Sequence, residues 1–474
     1  MHTTVKTFAS PKRPWFHWSL CAAALGWWLI PLAGRADDGS PPFYLKAGDH
    51  VCFYGDSITE QRFYGVDVET YVRTRFPNLH VKFVNSGVGG DRVTGGWAGR
   101  IDPRLEQDVF PFKPNVVTIM LGMNDAQYRA FDSQIFEVYS NGYEHIIQSL
   151  QKHLPGVRIV LIEPSPYDDV TQPPKFPGGY NEVLEHYSGF IRQLAAEHRF
   201  PYVDLNTPLV DVMKKVQAEN PGLAHAVIPD RIHPSPAGEL VMAQGILQVW
   251  NAPATVTSVV IDAVQNRVAY TNNTTLSDFK TAGGTLSWTQ HDRSLPFPIL
   301  ALHEDWPQFP PTENTKWGQP FFFWPAPATR WDYTNAAAEA IVNASSFYHA
   351  LDQEPLKVAG LPAGNYQLKI NGQSVGTFSA ADLGAGINLA EYRTPMLEQS
   401  YDVLHLVWKE VAWRFFAWRD IRLRLQDDKD PKVQREVKKL VAALEAQKNR
   451  DAEQQYAGAQ PQVTHYELIP VSSQ

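Results

Sequence analysis

Cysteine is nearly missing from this 474-residue chain: Cys21 and Cys52 are the only two. Cys21 lies in an N-terminal apolar run that reads as a removable segment, and Cys52 cannot form an intrachain disulfide alone. Stability outside a reducing compartment then rests on core burial or on a partner. Cys52 sits in an apolar strand pattern and reads as a small core residue. A basic excess is also absent, with 42 Lys and Arg against 50 Asp and Glu. That balance speaks against a nucleic-acid phosphate binder. Cys and His show no structural-zinc spacing, so no metal or cofactor is expected. No internal repeat supports a solenoid or propeller. Past the N-terminus, no run reaches the ~20 apolar residues of a membrane-spanning helix.

The first residues have the order of a secretory signal. Lys6, Lys12 and Arg13 precede "LCAAALGWWLIPLAG", and Gly34 and Ala36 suit signal peptidase. Residues 1–36 are therefore expected to be a signal peptide, its rival being an uncleaved anchor, and the mature chain to be secreted or periplasmic. Loss of Lys6, Lys12, Arg13 and Arg35 takes the formal charge from −8 to −12.

From about 44 to 252, short apolar runs alternate with helical ones. "HVCFY" (50–54), "VKFVN" (81–85), "VVTIML" (116–121), "VRIVLIE" (157–163) and the shorter "FPYVDL" are the strand candidates. Near-continuous apolar runs suit parallel strands covered on both faces, which predicts a three-layer α/β/α sheet. Residues 255–395 read as a β-rich accessory region, with Asn371-Gly372 marking a hairpin. Residues 396–456 read as helical, with Pro431 opening a charged helix, and 457–474 as an irregular tail. The aromatic stretch 400–426 admits membrane binding or protein packing. Its apolar positions nearly encircle the helix, which favours packing.

The polar loops after the strands carry the chemistry. "GDSIT" places Ser57 just after the first strand, where a helix cap is the ordinary role. "SGVGGDRVTGG" offers turn glycines, and its spacing is wrong for a dinucleotide cradle. Read for chemistry, Gly90 can donate a backbone N–H to an oxyanion, and the Asn124 amide in "GMND" can do the same. Asp230 and His233 lie three apart before Ser235-Pro236, so the carboxylate can hold one ring nitrogen while the other faces out. With His225 they could also be read as metal ligands, but no zinc pattern fits. Loops at the carboxyl edge of one parallel sheet converge on one cleft.

These blocks, in this order, resemble the SGNH-hydrolase superfamily of GDSL-type esterases and lipases. The resemblance covers about 48–252 and implies a flavodoxin-like catalytic domain. It implies Ser57, Asp230 and His233 as a catalytic triad, and Ser57, Gly90 and Asn124 as the oxyanion hole. The implied activity is hydrolysis of short-chain, foremost acetyl, esters through an acyl-enzyme, with carbohydrate esters among the substrates. A lipase or arylesterase of broader range is the alternative, as is a carbohydrate-binding or scaffolding protein on a hydrolase fold. The latter would use tryptophans 288, 306, 317, 324 and 331 to stack on sugars, whereas the favoured role for them is to seal the accessory region against the catalytic domain. Trp97, Tyr167 and Tyr180 are candidate substrate contacts, and the insert holding the two tyrosines is placed to wall the cleft. Expected partners are a small-molecule or polysaccharide ester, with no nucleic acid and no stable membrane insertion. Oligomerisation through the C-terminal helices stays open.

Overall fold

Short apolar runs with little side-chain alternation pair into one parallel sheet. The strands are β1 (His50–Gly55), β2 (Lys82–Gly87), β3 (Val116–Met120), β4 (Arg158–Ile162) and β5 (Tyr202–Val203), in the spatial order β2-β1-β3-β4-β5. A computed structural model describes residues 42–302 and 335–471 of the chain. The expected signal segment and tryptophans 306, 317, 324 and 331 lie outside those residues. Gly55 pairs with Gly87 on one side and Met120 on the other, so three strands end in one row. The strand order reverses beside β1, and open parallel sheets collect ligands outside such a reversal.

One face of the sheet is covered by amphipathic helices. Ser133–His153 buries Tyr139, Tyr143, Ile146, Ile147 and Leu150, and Gly179–His198 buries Leu184, Tyr187 and Ile191. The helix Phe63–Arg75 differs in kind. All of its residues are buried although it carries Asp67, Glu69, Arg73 and Arg75. No amphipathic pattern marks it, because no face of it meets water.

The C-terminal region provides the cover. Helix Pro395–Phe415 lies on Phe63–Arg75, and Pro431–Gly458 lies on Pro395–Phe415 and reaches the first helix at Arg73. Val403, Leu404, Val407 and Trp408 join the same hydrophobic core as the parallel sheet. Arg73 donates to Gln455 Oε1 at 2.8 Å and to the Tyr456 hydroxyl at 2.7 Å. Arg75 pairs with Asp352 at 3.1 Å. The described residues accordingly form one compact unit. The apolar positions in the stretch 400–426 are spent on intramolecular packing. No helix among the described residues is long and apolar enough to cross a membrane.

Two further sheets complete the region. One has five antiparallel strands with Thr464–Val471 at its centre, between Thr285–Asp292 and Asn365–Ile370. This corrects the expected irregular tail at 457–474: Tyr466 and Leu468 alternate inward, in a run too short and polar to stand out. The other sheet has four strands, with Pro355–Ala359 and Ser258–Asp262 inside it. The hairpin at Asn371-Gly372 forms with both residues at positive φ, as a tight two-residue turn requires. Trp288 is fully buried, stacked on Tyr466 with ring centroids 5.0 Å apart. It is a core residue and offers no sugar-stacking face, which removes it from the carbohydrate-binding alternative.

The joint between the halves is testable at Trp408, which meets the Phe63 ring edge-on at 5.3 Å with no solvent exposure. Trp408→Ala is expected to cost about 3–5 kcal/mol of stability, the usual range for truncating a buried large aromatic. Urea unfolding monitored by far-UV circular dichroism checks this. An unchanged midpoint and slope would mean that the helix does not hold the two halves together.

Candidate active site

Ser57 stands alone in its surroundings. Between Val51 and Arg75 every residue is buried except this one, which is partly open to solvent. It begins the short helix Ser57–Gln61 directly after β1, but it is not the cap. Asp56 caps that helix by accepting the Ile58 N–H at 3.0 Å. The Ser57 hydroxyl is thereby left for another partner. Gly87 permits the close fit beneath it, since a Cβ there would lie 2.3 Å from the Glu60 nitrogen.

That partner is His233, whose Nε2 lies 2.8 Å from Ser57 Oγ. Its Nδ1 lies 2.7 Å from Asp230 Oδ2, while Asp230 Oδ1 accepts the Ile232 and His233 backbone N–H groups. Burial alone would raise the Asp230 carboxyl. The hydrogen bonds from the His233 ring and the two amides outweigh it and hold the group below the usual carboxylate range. An ionised Asp230 keeps the proton on Nδ1 and leaves Nε2 able to accept the serine proton. Ser235, accepting the Gly238 N–H, and Pro236 start the helix that follows, which fixes the end of this loop.

Gly90 and Asn124 come from the ends of β2 and β3. Gly90 has φ of +76°, a backbone region that disfavours other residues, and open space faces the position of its missing side chain. Asn124 is nearly buried. Its Nδ2 donates to the Asp91 carbonyl at 3.2 Å and approaches Asp56 Oδ2 at 3.4 Å. Its Oδ1 accepts from the Tyr128 hydroxyl at 2.8 Å, which sets the direction of the amide. Burial raises Asp56 to about 7, opposed by the Ile58 N–H and by nearby His233.

Trp97 is 55% exposed and donates through Nε1 to the Gly89 carbonyl at 3.0 Å, so it stands at the site with a free edge. Tyr167 and Tyr180 do not present themselves in this way. Both are buried, and the Tyr180 hydroxyl is committed to the Met123 carbonyl at 2.6 Å. Their rings instead back Tyr128, which is 40% exposed and lies 5.0 Å from Tyr180. The sequence reading named the two supporting rings and missed the one they support. The insert reaches the cleft through Arg231, which binds Gln172 and the Pro173 carbonyl while its own carbonyl accepts the Asp168 N–H. It therefore braces the Asp230–His233 turn. Among the described residues, no group of three or more His, Cys, Asp or Glu side chains is placed to hold a metal.

A family model of GDSL-like lipases and acylhydrolases matches residues 53–240, spanning the Ser57, Gly90, Asn124 and Asp230–His233 loops. These residues form a GDSL-like acylhydrolase domain. The protein is a carboxylic ester hydrolase. An acetylxylan esterase of Geobacillus stearothermophilus is 28% identical over 224 residues, covering 43% of this chain and 94% of that enzyme. A solved structure described as a gut microbial diltiazem-metabolizing enzyme matches with TM-score 0.72 at 25% identity. It covers 90% of this chain and 98% of its own, so the shared architecture extends well into the C-terminal region. A crystal structure of an acetylxylan esterase from the same Geobacillus species covers 44% of this chain and 97% of its own, at 24% identity and TM-score 0.37.

The acylhydrolase domain carries its own pH signature at Asp125. This buried carboxyl accepts the Val93 N–H at 2.9 Å, yet burial pushes it up to about 7. An unfolded aspartate ionises near ~3.9. Between about pH 4 and pH 7 the unfolded chain gives up a proton that the folded one keeps, so folded-state stability falls across that window. Asp125→Asn removes this loss. The variant's melting temperature relative to wild type is expected to rise by a few degrees between about pH 4 and pH 8. An identical difference at both values would show that Asp125 is already ionised in the folded protein.

Proposed function

We propose that the protein is a secreted or periplasmic serine esterase that releases short acyl groups, acetyl above all, from hydroxylated carriers such as carbohydrates. The observation that carries this reading is the unbroken Ser57–His233–Asp230 chain at the end of β1, with contacts of 2.8 and 2.7 Å. His233 Nε2 takes the Ser57 proton as Oγ attacks the ester carbonyl, forming a tetrahedral adduct. Asp230 holds the imidazole in the correct tautomer and stabilises the imidazolium. The negative oxygen is met by the Ser57 and Gly90 backbone N–H groups and by the Asn124 amide. Collapse of the adduct breaks the C–O bond, and the imidazolium protonates the departing alcohol. Water, deprotonated by the same histidine, then releases the acid and restores Ser57.

The preference for a small acyl group rests on the site's fittings. Asn124, Tyr128, Asp56 and the Asp230–His233 turn surround Ser57 with polar groups, and the exposed rings of Trp97 and Tyr128 suit an alcohol-bearing carrier better than an acyl tail. The acetylxylan esterase relative is in keeping with it. Export rests on the basic-apolar-small order of residues 1–36.

Ser57→Ala should abolish hydrolysis of 4-nitrophenyl acetate, and Asn124→Ala should lower kcat by about a hundredfold, the usual cost of one oxyanion donor. Acetate released from acetylated xylan should exceed the corresponding rates on octanoate esters. Full activity of Ser57→Ala would end the serine mechanism, and a preference for octanoate would end the short-acyl assignment. Tyr128→Phe frees the Asn124 amide without unfolding the site. It is expected to lower kcat several-fold with little change in KM, as measured by steady-state kinetics on 4-nitrophenyl acetate.

A further inference from the structure

The C-terminal region also touches the acylhydrolase domain next to the site. After helix Pro395–Phe415 the backbone widens into a π-type turn over Phe416–Arg422, a distortion that recurs at functional positions. Two neighbouring residues of this turn, Trp418 and Arg419, are buried and point in different directions.

Arg419 donates through Nε to Glu60 Oε1 at 2.6 Å, and Glu60 Oε2 accepts the Gly89 N–H at 2.8 Å. The same guanidinium lies 3.9 Å from the centre of the Trp97 ring. Trp97 in turn donates to the Gly89 carbonyl at 3.0 Å. That carbonyl and the Gly90 N–H belong to one planar trans peptide, so they point in opposite directions. Pinning the carbonyl on the indole therefore sets where the Gly90 N–H aims. Arg419 controls both restraints on Gly89: its amide through Glu60 and its carbonyl through Trp97.

Trp418 addresses the other donor. Its Nε1 donates to Asp108 Oδ1. Arg104, wholly buried, joins Asp108 Oδ2 at 2.7 Å to Asp91 Oδ2 at 2.9 Å. The Asp91 carbonyl is the acceptor of the Asn124 amide.

We infer that the C-terminal region is a working part of the esterase, with Arg419 acting as a positioning residue that aligns the Gly89–Gly90 peptide toward the oxyanion. The inference rests on the reading of Gly90 and Asn124 as oxyanion donors. Arg419 touches no reacting atom; its effect passes through Glu60 and Trp97. Loss of the guanidinium strips the buried Glu60 carboxylate of its charge-assisted hydrogen bond and frees the indole, so the peptide plane can turn. Because the donor acts on charge that develops in the transition state, the loss falls on kcat and spares KM.

The test is steady-state hydrolysis of 4-nitrophenyl acetate by the full mature chain, with folding checked by circular dichroism. Arg419→Ala is expected to lower kcat by about tenfold or more while KM changes by less than about twofold. Arg419→Lys, which keeps the charge but not the planar stack, should fall between that variant and wild type. Trp97→Phe keeps a ring for the guanidinium and removes only the N–H, and a loss of about fivefold in kcat is expected. Trp97 is exposed, so this variant decides the matter even if Arg419→Ala fails to fold. Wild-type kcat in folded Trp97→Phe and Arg419→Ala, alongside an inactive Ser57→Ala, would overturn the inference and leave the serine mechanism standing. Full activity of Ser57→Ala would instead remove the mechanism and the inference with it.

Discussion

A helix that has no apolar face yet meets no water is the constraint on which the protein turns. Phe63–Arg75 carries Asp67, Glu69, Arg73 and Arg75 into the interior. Burying such groups is tolerable only where partners and packing surround them. The parallel sheet can cover one side. Arg73 finds Glu69 on its own helix but Gln455 and Tyr456 on the C-terminal helix, and Arg75 finds Asp352. Burial raises the Glu69 carboxyl, with Arg73 pulling against it. The esterase domain is therefore built to be covered.

This arrangement bears on the chemistry because Ser57 lies just upstream on the same buried stretch. The helix Ser57–Gln61 ends at Arg62, whose φ is +76° and whose guanidinium lies 4.1 Å from the centre of the Phe415 ring. The serine is held by its strand on one side and by the covered helix on the other. Only its hydroxyl end faces solvent, where His233 meets it. Rigidity on that scale is what the proposed oxyanion site requires, since donors misplaced by about 1 Å lose much of their effect.

The sequence made the strands and the site loops legible because each is local. An apolar run stops at Gly55, and the acid, serine and threonine that follow are contiguous with it; Asp230 and His233 need only a three-residue turn. What depended on distant parts of the chain was not legible. Phe63–Arg75 gives no periodic signal, because burial on every side erases the pattern that marks an amphipathic helix. Strand Thr464–Val471 hides behind His465, Glu467 and Pro470. Tyr167, Tyr180 and Tyr128 are equivalent as letters. Which ring faces solvent is set by Gln127 and Tyr128, both at positive φ, and by the Tyr180 hydroxyl being drawn to Met123. Composition alone does not say which side of a sheet an aromatic occupies, so Trp288 stood open between packing and sugar stacking, and it lies in the core.

The most direct measurement is the identity of the residue that becomes covalently modified. A fluorophosphonate reacts with a serine only where a base and an oxyanion site activate it. Treating the mature protein with such a reagent until 4-nitrophenyl acetate hydrolysis stops, then sequencing the labelled peptide by mass spectrometry, should place the phosphonyl group on Ser57. A protein that loses activity with the label on another side chain, or that is labelled on Ser57 and stays fully active, would contradict the assignment of Ser57 as the nucleophile.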